Sequence, residues 1–210
     1  MAINAGPDII EDGLVLCLDA ANIRSYPKSG TTWSDLAGAS NGTLTNGPTF
    51  DSGNGGSIVF DGTNDYVSLG AVQVNTAAGT IGMHVKLNST TGRFFGRGNY
   101  FETRFSSSNL VLDFTGNNLT SSRTVWSGDW LYLLVAWDEN ANSTALYVNG
   151  VADSTGTCGS VSTQTGNMNI GQSWNNQYIN GKITDFHSYN RVLTLAEIKQ
   201  NYEATVGRYS

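Results

Sequence analysis

Residues 130–150, WLYLLVAWDENANSTALYVNG, decide the fold. Leu131 to Trp137 is an apolar run of strand-favouring residues, Asp138 to Ser143 is turn chemistry, and Thr144 to Val148 reads as a second strand. Asn149-Gly150 then favours a type I′ turn, because both residues tolerate positive φ. The spacing predicts two successive hairpins inside an antiparallel sheet.

Working outward, GTIGMHVKL (79–87) alternates, so that Ile81, Met83, Val85 and Leu87 share a face and His84 falls on the opposite one, as a sheet-surface residue. Leu14 to Leu18 is the first strand, ending at Asp19. Trp33 and Leu36 pin the polar loop that follows to the body. Ile58 to Phe60 is a buried strand, Asp61 to Asp65 a tight loop, and Tyr66 to Leu69 the strand's continuation. Further strands are expected between Arg93 and Phe105, broken at Gly96 and Gly98, and at Leu110–Phe114, Met168–Gly171 and Lys182–Tyr189. One helix is signalled. Thr194 and Glu197 form a capping box, with Leu193 and Ile198 at the staple positions, and the helix is expected at the C-terminal end of the strands. The fold class is all-β: a two-sheet antiparallel sandwich of about a dozen strands with one short C-terminal helix. Residues 1–12 read as an N-terminal arm and 13–210 as one domain.

Composition narrows the function. The chain has 210 residues, a net charge of −6 and only 13% charged residues, with many neutral polar side chains in turns. An acidic surface without a basic patch disfavours nucleic acid. The N-terminus lacks the basic and apolar segments of a signal peptide, and no apolar run is long enough for a membrane span. The expected product is made in a cytoplasm and is not inserted in a membrane. Cys17, inside LVLCLDA, reads as a small core residue; pairing with Cys158 is left open.

Four ordered segments carry a resemblance: GLVLCLDAAN (13–22), SIVFDGTNDYV (57–67), the 130–150 block, and INGKITDFHSYNRVLTLAEI (179–198). Together they resemble the laminin-G-like, concanavalin A-like family, whose fold is a jelly roll of two curved sheets. The stretch SYPKSGTTWSDLAG and the ending NYEATVGRYS are most similar to versions in virion proteins of tailed phages. That likeness implies a virion surface protein, a capsid decoration or tail component, present in several copies and contacting other virion proteins, with loops that bind cell-surface or environmental glycans. A decoration protein without ligand and a glycoside hydrolase are the alternatives.

A glycosidase needs two carboxylates flanking the scissile bond. No strand carries such a pair, the acidic residues fall mostly in turns, and Glu102 stands apart, so the chain reads as non-catalytic. Neither His84 nor His187 has metal-ligand spacing near it, and each reads as a sheet-surface residue. For glycans, an aromatic platform with amide neighbours is sought. The loop QSWNNQYIN (172–180) offers Trp174, Asn175, Asn176, Gln177 and Tyr178, with the Arg97–Tyr100 turn second. Trp126, Trp130 and Trp137 read as core or edge packing. For calcium, a hard cation that takes several oxygens, Asp61, Asn64 and Asp65 offer side-chain oxygens in one loop. The bland reading of that loop is an Asx-turn.

Overall fold

The computed structural model describes residues 7–71, 77–97, 101–114, 116–124, 128–161, 166–173 and 176–209. The first strands are β1 (Leu14–Asp19), β2 (Thr32–Trp33), β3 (Gly42–Thr45), β4 (Thr49–Asp51), β5 (Ser57–Asp61) and β6 (Tyr66–Ser68). Next come β7 (Ala78–Leu87), β8 (Arg93–Arg97), β9 (Phe101–Ser106), β10 (Asn109–Phe114) and β11 (Asn117–Thr120). The last are β12 (Trp130–Asp138), β13 (Ser143–Val148), β14 (Val151–Gly156), β15 (Asn169–Ile170) and β16 (Asn180–Tyr189), followed by α1 (Leu195–Val206).

These strands make two antiparallel sheets. The first runs β14-β13-β12-β7-β16-β5-β4, with β1 also pairing β16. The second runs β11-β10-β9-β8-β15-β6-β3-β2. The expected hairpins are present: Leu133 faces Val148 across β12 and β13, and Val148 faces Val151 across β13 and β14. Asn149 and Gly150 take φ of 52° and 76°, as a type I′ turn requires.

The apolar run of β12 has a structural cause. Its odd positions, Leu131, Leu133, Val135 and Trp137, enter the inter-sheet core. Its even positions, Tyr132, Leu134 and Ala136, enter a second apolar cluster with Tyr189, Leu193 and Ile198 beneath α1. A strand covered on both faces reads as continuous rather than alternating.

Three expectations need correction. Tyr66–Ser68 does not continue β5: β5 pairs β16 in the first sheet, whereas β6 pairs β3 and β15 in the second. The Asp61–Asp65 turn carries the chain between sheets. The helix does not sit at the strand ends but over the outer face of the first sheet, with residues 8–10 alongside: Asn201 Oδ1 accepts from the Ile10 amide at 2.8 Å, and Gln200 donates to the Asp8 carbonyl. His84 and His187 are therefore no surface residues but 1% and 2% exposed. Trp33 is fully buried as expected, while Leu36 stays exposed. Both cysteines are buried and free. Burial pushes the Cys17 thiol up to about 12 and that of Cys158 up to about 11, so both stay protonated and inert.

Candidate functional site

Two of the stretches singled out in the sequence meet at one end of the sandwich. The loop before β16 brings Asn176, Gln177 and Tyr178 against Gly62 and Thr63 of the β5–β6 turn. Thr90, Thr91 and Gly92 of the β7–β8 turn, with Phe105 and Ser107 of the β9–β10 hairpin, complete a cleft of about 450 Å³. Its donors and acceptors are hydroxyls and amides. Among the described residues, no carboxylate, ammonium, guanidinium or imidazole lines it.

Local backbone chemistry sets these side chains. Gly92 has φ of +95°, and a Cβ there would lie 2.2 Å from the Tyr178 carbonyl oxygen. Only glycine lets the Tyr178 segment approach this closely. Ser107 and Ser108 both take positive φ, 50° and 69°, without an Asn or Gly to ease it. That strain is stored in the hairpin tip bordering the cleft. Asn176 is also left-handed, at 52°, a conformation asparagine tolerates. Tyr178 is half-buried, while Asn176 and Gln177 are exposed. Trp174 and Asn175, expected in the same site, lie outside the described residues, as do Trp126 and residues 98–100 of the Arg97–Tyr100 turn.

The Asp61–Asp65 loop is closed by its own backbone. Asp61 Oδ1 accepts from the Thr63 amide at 2.7 Å and the Asn64 amide at 3.4 Å. Asp65 Oδ2 accepts from the Asp61 amide at 3.1 Å, and the Asn64 carbonyl accepts from Asn46. The Thr63 amide holds the Asp61 carboxyl below its ordinary range, and burial raises that of Asp65. This is the pattern of an Asx-turn. Among the described residues, no three His, Cys, Asp or Glu side chains gather as metal ligands.

Beside the cleft, the outer face of the second sheet carries a pairing that reading along single strands misses. Glu102 on β9 lies directly across from Asp113 on β10. Glu102 is buried and ion-paired to Arg93, with Arg104 Nε at 3.2 Å from its Oε1 and Arg104 Nη2 at 3.8 Å from Asp113 Oδ2. Ser173 packs over this face: a Cβ on Gly96 would lie 2.2 Å from its Oγ and 2.8 Å from Glu102 Cβ. Glu102 is thus not alone, yet neither carboxylate lines the cleft.

On the far side, the first sheet holds a buried polar cluster under α1. His84 Nδ1 lies 2.9 Å from Asp185 Oδ2, so Nδ1 carries the proton it donates, and Nε2 lies 3.2 Å from Thr205 Oγ1. His84 is stacked between Tyr132 and Tyr209, with ring centroids at 4.6 and 4.7 Å. Burial alone would raise the Asp185 carboxyl, but His84 overrides it and holds it well below the usual range. Burial keeps His187, the cross-strand partner of Cys17, below its ordinary value against the pull of Asp185. Nothing along β16 announces this cluster: Asp185 and His187 stand beside Lys182, Thr184 and Ser188 in a strand of mixed polarity, and it is the cover of α1 that buries them.

Comparison with known proteins agrees with this architecture. No curated protein sequence matches the chain. Among solved structures, domain 4 of AbnA, a GH43 extracellular arabinanase from Geobacillus stearothermophilus, in complex with arabinotriose, superposes with a TM-score of 0.74 at 17% identity. That match covers 92% of this chain and 100% of that one. Trypanosoma rangeli sialidase in complex with the inhibitor DANA matches with a TM-score of 0.70 at 14% identity, over 97% of this chain but 34% of its own length. The binding domain of Paraclostridial Mosquitocidal Protein 1 matches with a TM-score of 0.70 at 14% identity, over 91% of this chain and 52% of that one. At these identities the likeness is one of fold, and it spans enzymes and binding domains alike. The family model Laminin_G_3 matches residues 61–199, and with the two-sheet sandwich in hand the chain belongs to the Concanavalin A-like lectin/glucanases superfamily.

Proposed function

We propose that the protein is a non-catalytic glycan-binding module whose site is the loop-end cleft, and that its ligands are uncharged sugars. The observation that carries this is the lining: hydroxyls of Thr63, Thr90, Thr91 and Ser107, amides of Asn176 and Gln177, and the Tyr178 ring, with no ionised side chain among the described residues. Such groups exchange hydrogen bonds with sugar hydroxyls, and the aromatic face receives the C–H side of the ring. An acidic sugar would find no cation to pair with in this cleft. The neighbouring domain described in complex with arabinotriose supports the reading. Trp174 and Asn175, from the same loop, are proposed to extend the site. The proposed setting is a virion surface, in several copies against other virion proteins, and rests on the resemblance of 25–38 and 201–210 to virion modules.

A broad glycan array, run with calcium and again with chelator, tests this. Binding to neutral glycans that drops in Tyr178→Ala and Trp174→Ala, with the melting temperature unchanged, supports it. Loss on chelation would draw the Asp61, Asn64 and Asp65 oxygens into the site as calcium ligands. Absence of binding under both conditions would favour a decoration protein without ligand.

One observation favours a second reading, a glycoside hydrolase: Glu102 and Asp113 are cross-strand partners, and such pairs place carboxylates at about the separation a retaining enzyme uses. Against it, Arg93 and Arg104 neutralise both groups, whereas a general acid needs a carboxyl kept protonated. Hydrolysis of a glycan by the wild type, abolished in Glu102→Gln, would establish the enzyme.

A further inference from the structure

A second pocket, of about 250 Å³, opens between the C-terminal end of α1 and the outer face of the first sheet. Its walls are aromatic and continuous. Trp130 packs on Tyr209 at 4.7 Å, Tyr209 on His84, His84 on Tyr132, and Tyr132 on Tyr202 at 6.2 Å. All five rings line the pocket, together with Asp129 and Asn149.

The row of rings is held rigid. Trp130 Nε1 donates to Asn54 Oδ1 at 3.3 Å, and Asn54 Nδ2 donates to the Arg208 carbonyl at 2.9 Å, so one asparagine ties the indole to the chain after the helix. Asn149 Oδ1 accepts from the Tyr132 amide at 2.9 Å, which fixes the side chain and leaves Nδ2 as the donor it offers. Asp129 is exposed at the mouth.

The ring arrangement discriminates between ligands. A cage for an organic cation needs open π faces turned toward the charge. Here Tyr209, His84 and Tyr132 each pack against two neighbouring rings, so that Trp130 and Tyr202, at the ends of the row, are the rings with a single neighbour, fewer open faces than a cage around a cation needs. What remains is an apolar wall with one carboxylate acceptor and one amide donor at its rim. We infer that this pocket is a second carbohydrate subsite, taking a single neutral sugar residue against Trp130 with its hydroxyls on Asp129 and Asn149. None of these residues belongs to the loop-end cleft, so the two sites stand or fall separately.

The test is a ¹⁵N NMR titration of the full chain, with the Trp130 indole resonance assigned through Trp130→Phe. The probes are glucose, galactose and arabinose, taken into the millimolar range, and tetramethylammonium as the cation control. The expected result is that at least one sugar shifts the Trp130 indole and the Asn149 side-chain amide. Asp129→Ala, an exposed change that leaves the fold intact by melting temperature, weakens that sugar about tenfold, and Tyr178→Ala leaves it unchanged. No movement of the Trp130 resonance with any sugar, movement with tetramethylammonium alone, or a response abolished by Tyr178→Ala would each overturn the inference.

Discussion

Under the C-terminal helix, His84, Asp185, His187 and Asp19 are buried, and ionisable groups answer one another across short distances: His84 with Asp185, and Asp19 Oδ1 with Arg208 at 3.0 Å. At the loop end, by contrast, hydroxyls and amides face an open cleft with no charge among them. The first region is packed beneath the helix and its charges are paired internally, although His187 Nδ1 and Ser188 Oγ have no hydrogen-bond partner among the described residues. The second leaves its polar groups to be satisfied by water or a ligand. Substitutions in the two regions should therefore register in different measurements. Changes under the helix should cost stability, and changes at the loop end should cost binding.

The largest expected effect comes from His84→Ala. It removes the middle ring of the stack and leaves Asp185 buried without its partner, a loss of about 3–5 kcal/mol by analogy with broken buried pairs. Denaturant unfolding measures it, and a cost below about 1 kcal/mol would mean that the region is not closed as described.

Gly92→Ala is expected to dislodge the Tyr178 segment, because the new Cβ meets the Tyr178 carbonyl at 2.2 Å. Glycan binding should fall sharply, with a smaller loss of stability. A variant that binds as well as wild type would separate the cleft from the function.

Acid tests the helix-covered side first. His187 is held below its ordinary 6.5 by burial, so it favours the folded state above that value and loses the contribution as pH falls through its folded value. Asp185 is also held low, and its contribution disappears only in stronger acid. Melting temperature should therefore begin to fall below about pH 6.5 and continue through the carboxylate range. A profile flat from pH 7 to 5 would contradict the burial of His187.

Two smaller effects sharpen the contrast. Thr194→Ala removes the cap that Glu197 reciprocates, for about 1 kcal/mol by thermal unfolding. Ser108→Gly relieves a left-handed serine in the hairpin tip and should stabilise by about 1 kcal/mol, with glycan binding unchanged.

The sequence declared its strands, hairpins and capped helix through local chemistry. The Asn149-Gly150 turn and the Thr194–Glu197 box depend on neighbours along the chain, and both formed as read. What crossed strands was hidden. Glu102 and Asp113 are eleven residues apart in sequence and opposite each other in the sheet, and His84 meets Asp185 only because β7 pairs β16. Register is set by tertiary pairing, so neither partnership is legible along one strand. The cleft was half legible. Tyr178 and its amide neighbours stood out as polar aromatics in a loop, but Thr90, Thr91 and Ser107 carry no signal until the turns that hold them converge.

Calorimetric titration of the best neutral glycan from the array measures sugar binding at the loop-end cleft directly. Wild type should bind with an affinity little changed between low and high salt, since no ionised group lines the cleft. Tyr178→Ala should bind about tenfold more weakly with an unaltered melting temperature. Full affinity in Tyr178→Ala, or binding that collapses with salt, would rule out a neutral-sugar site in this cleft.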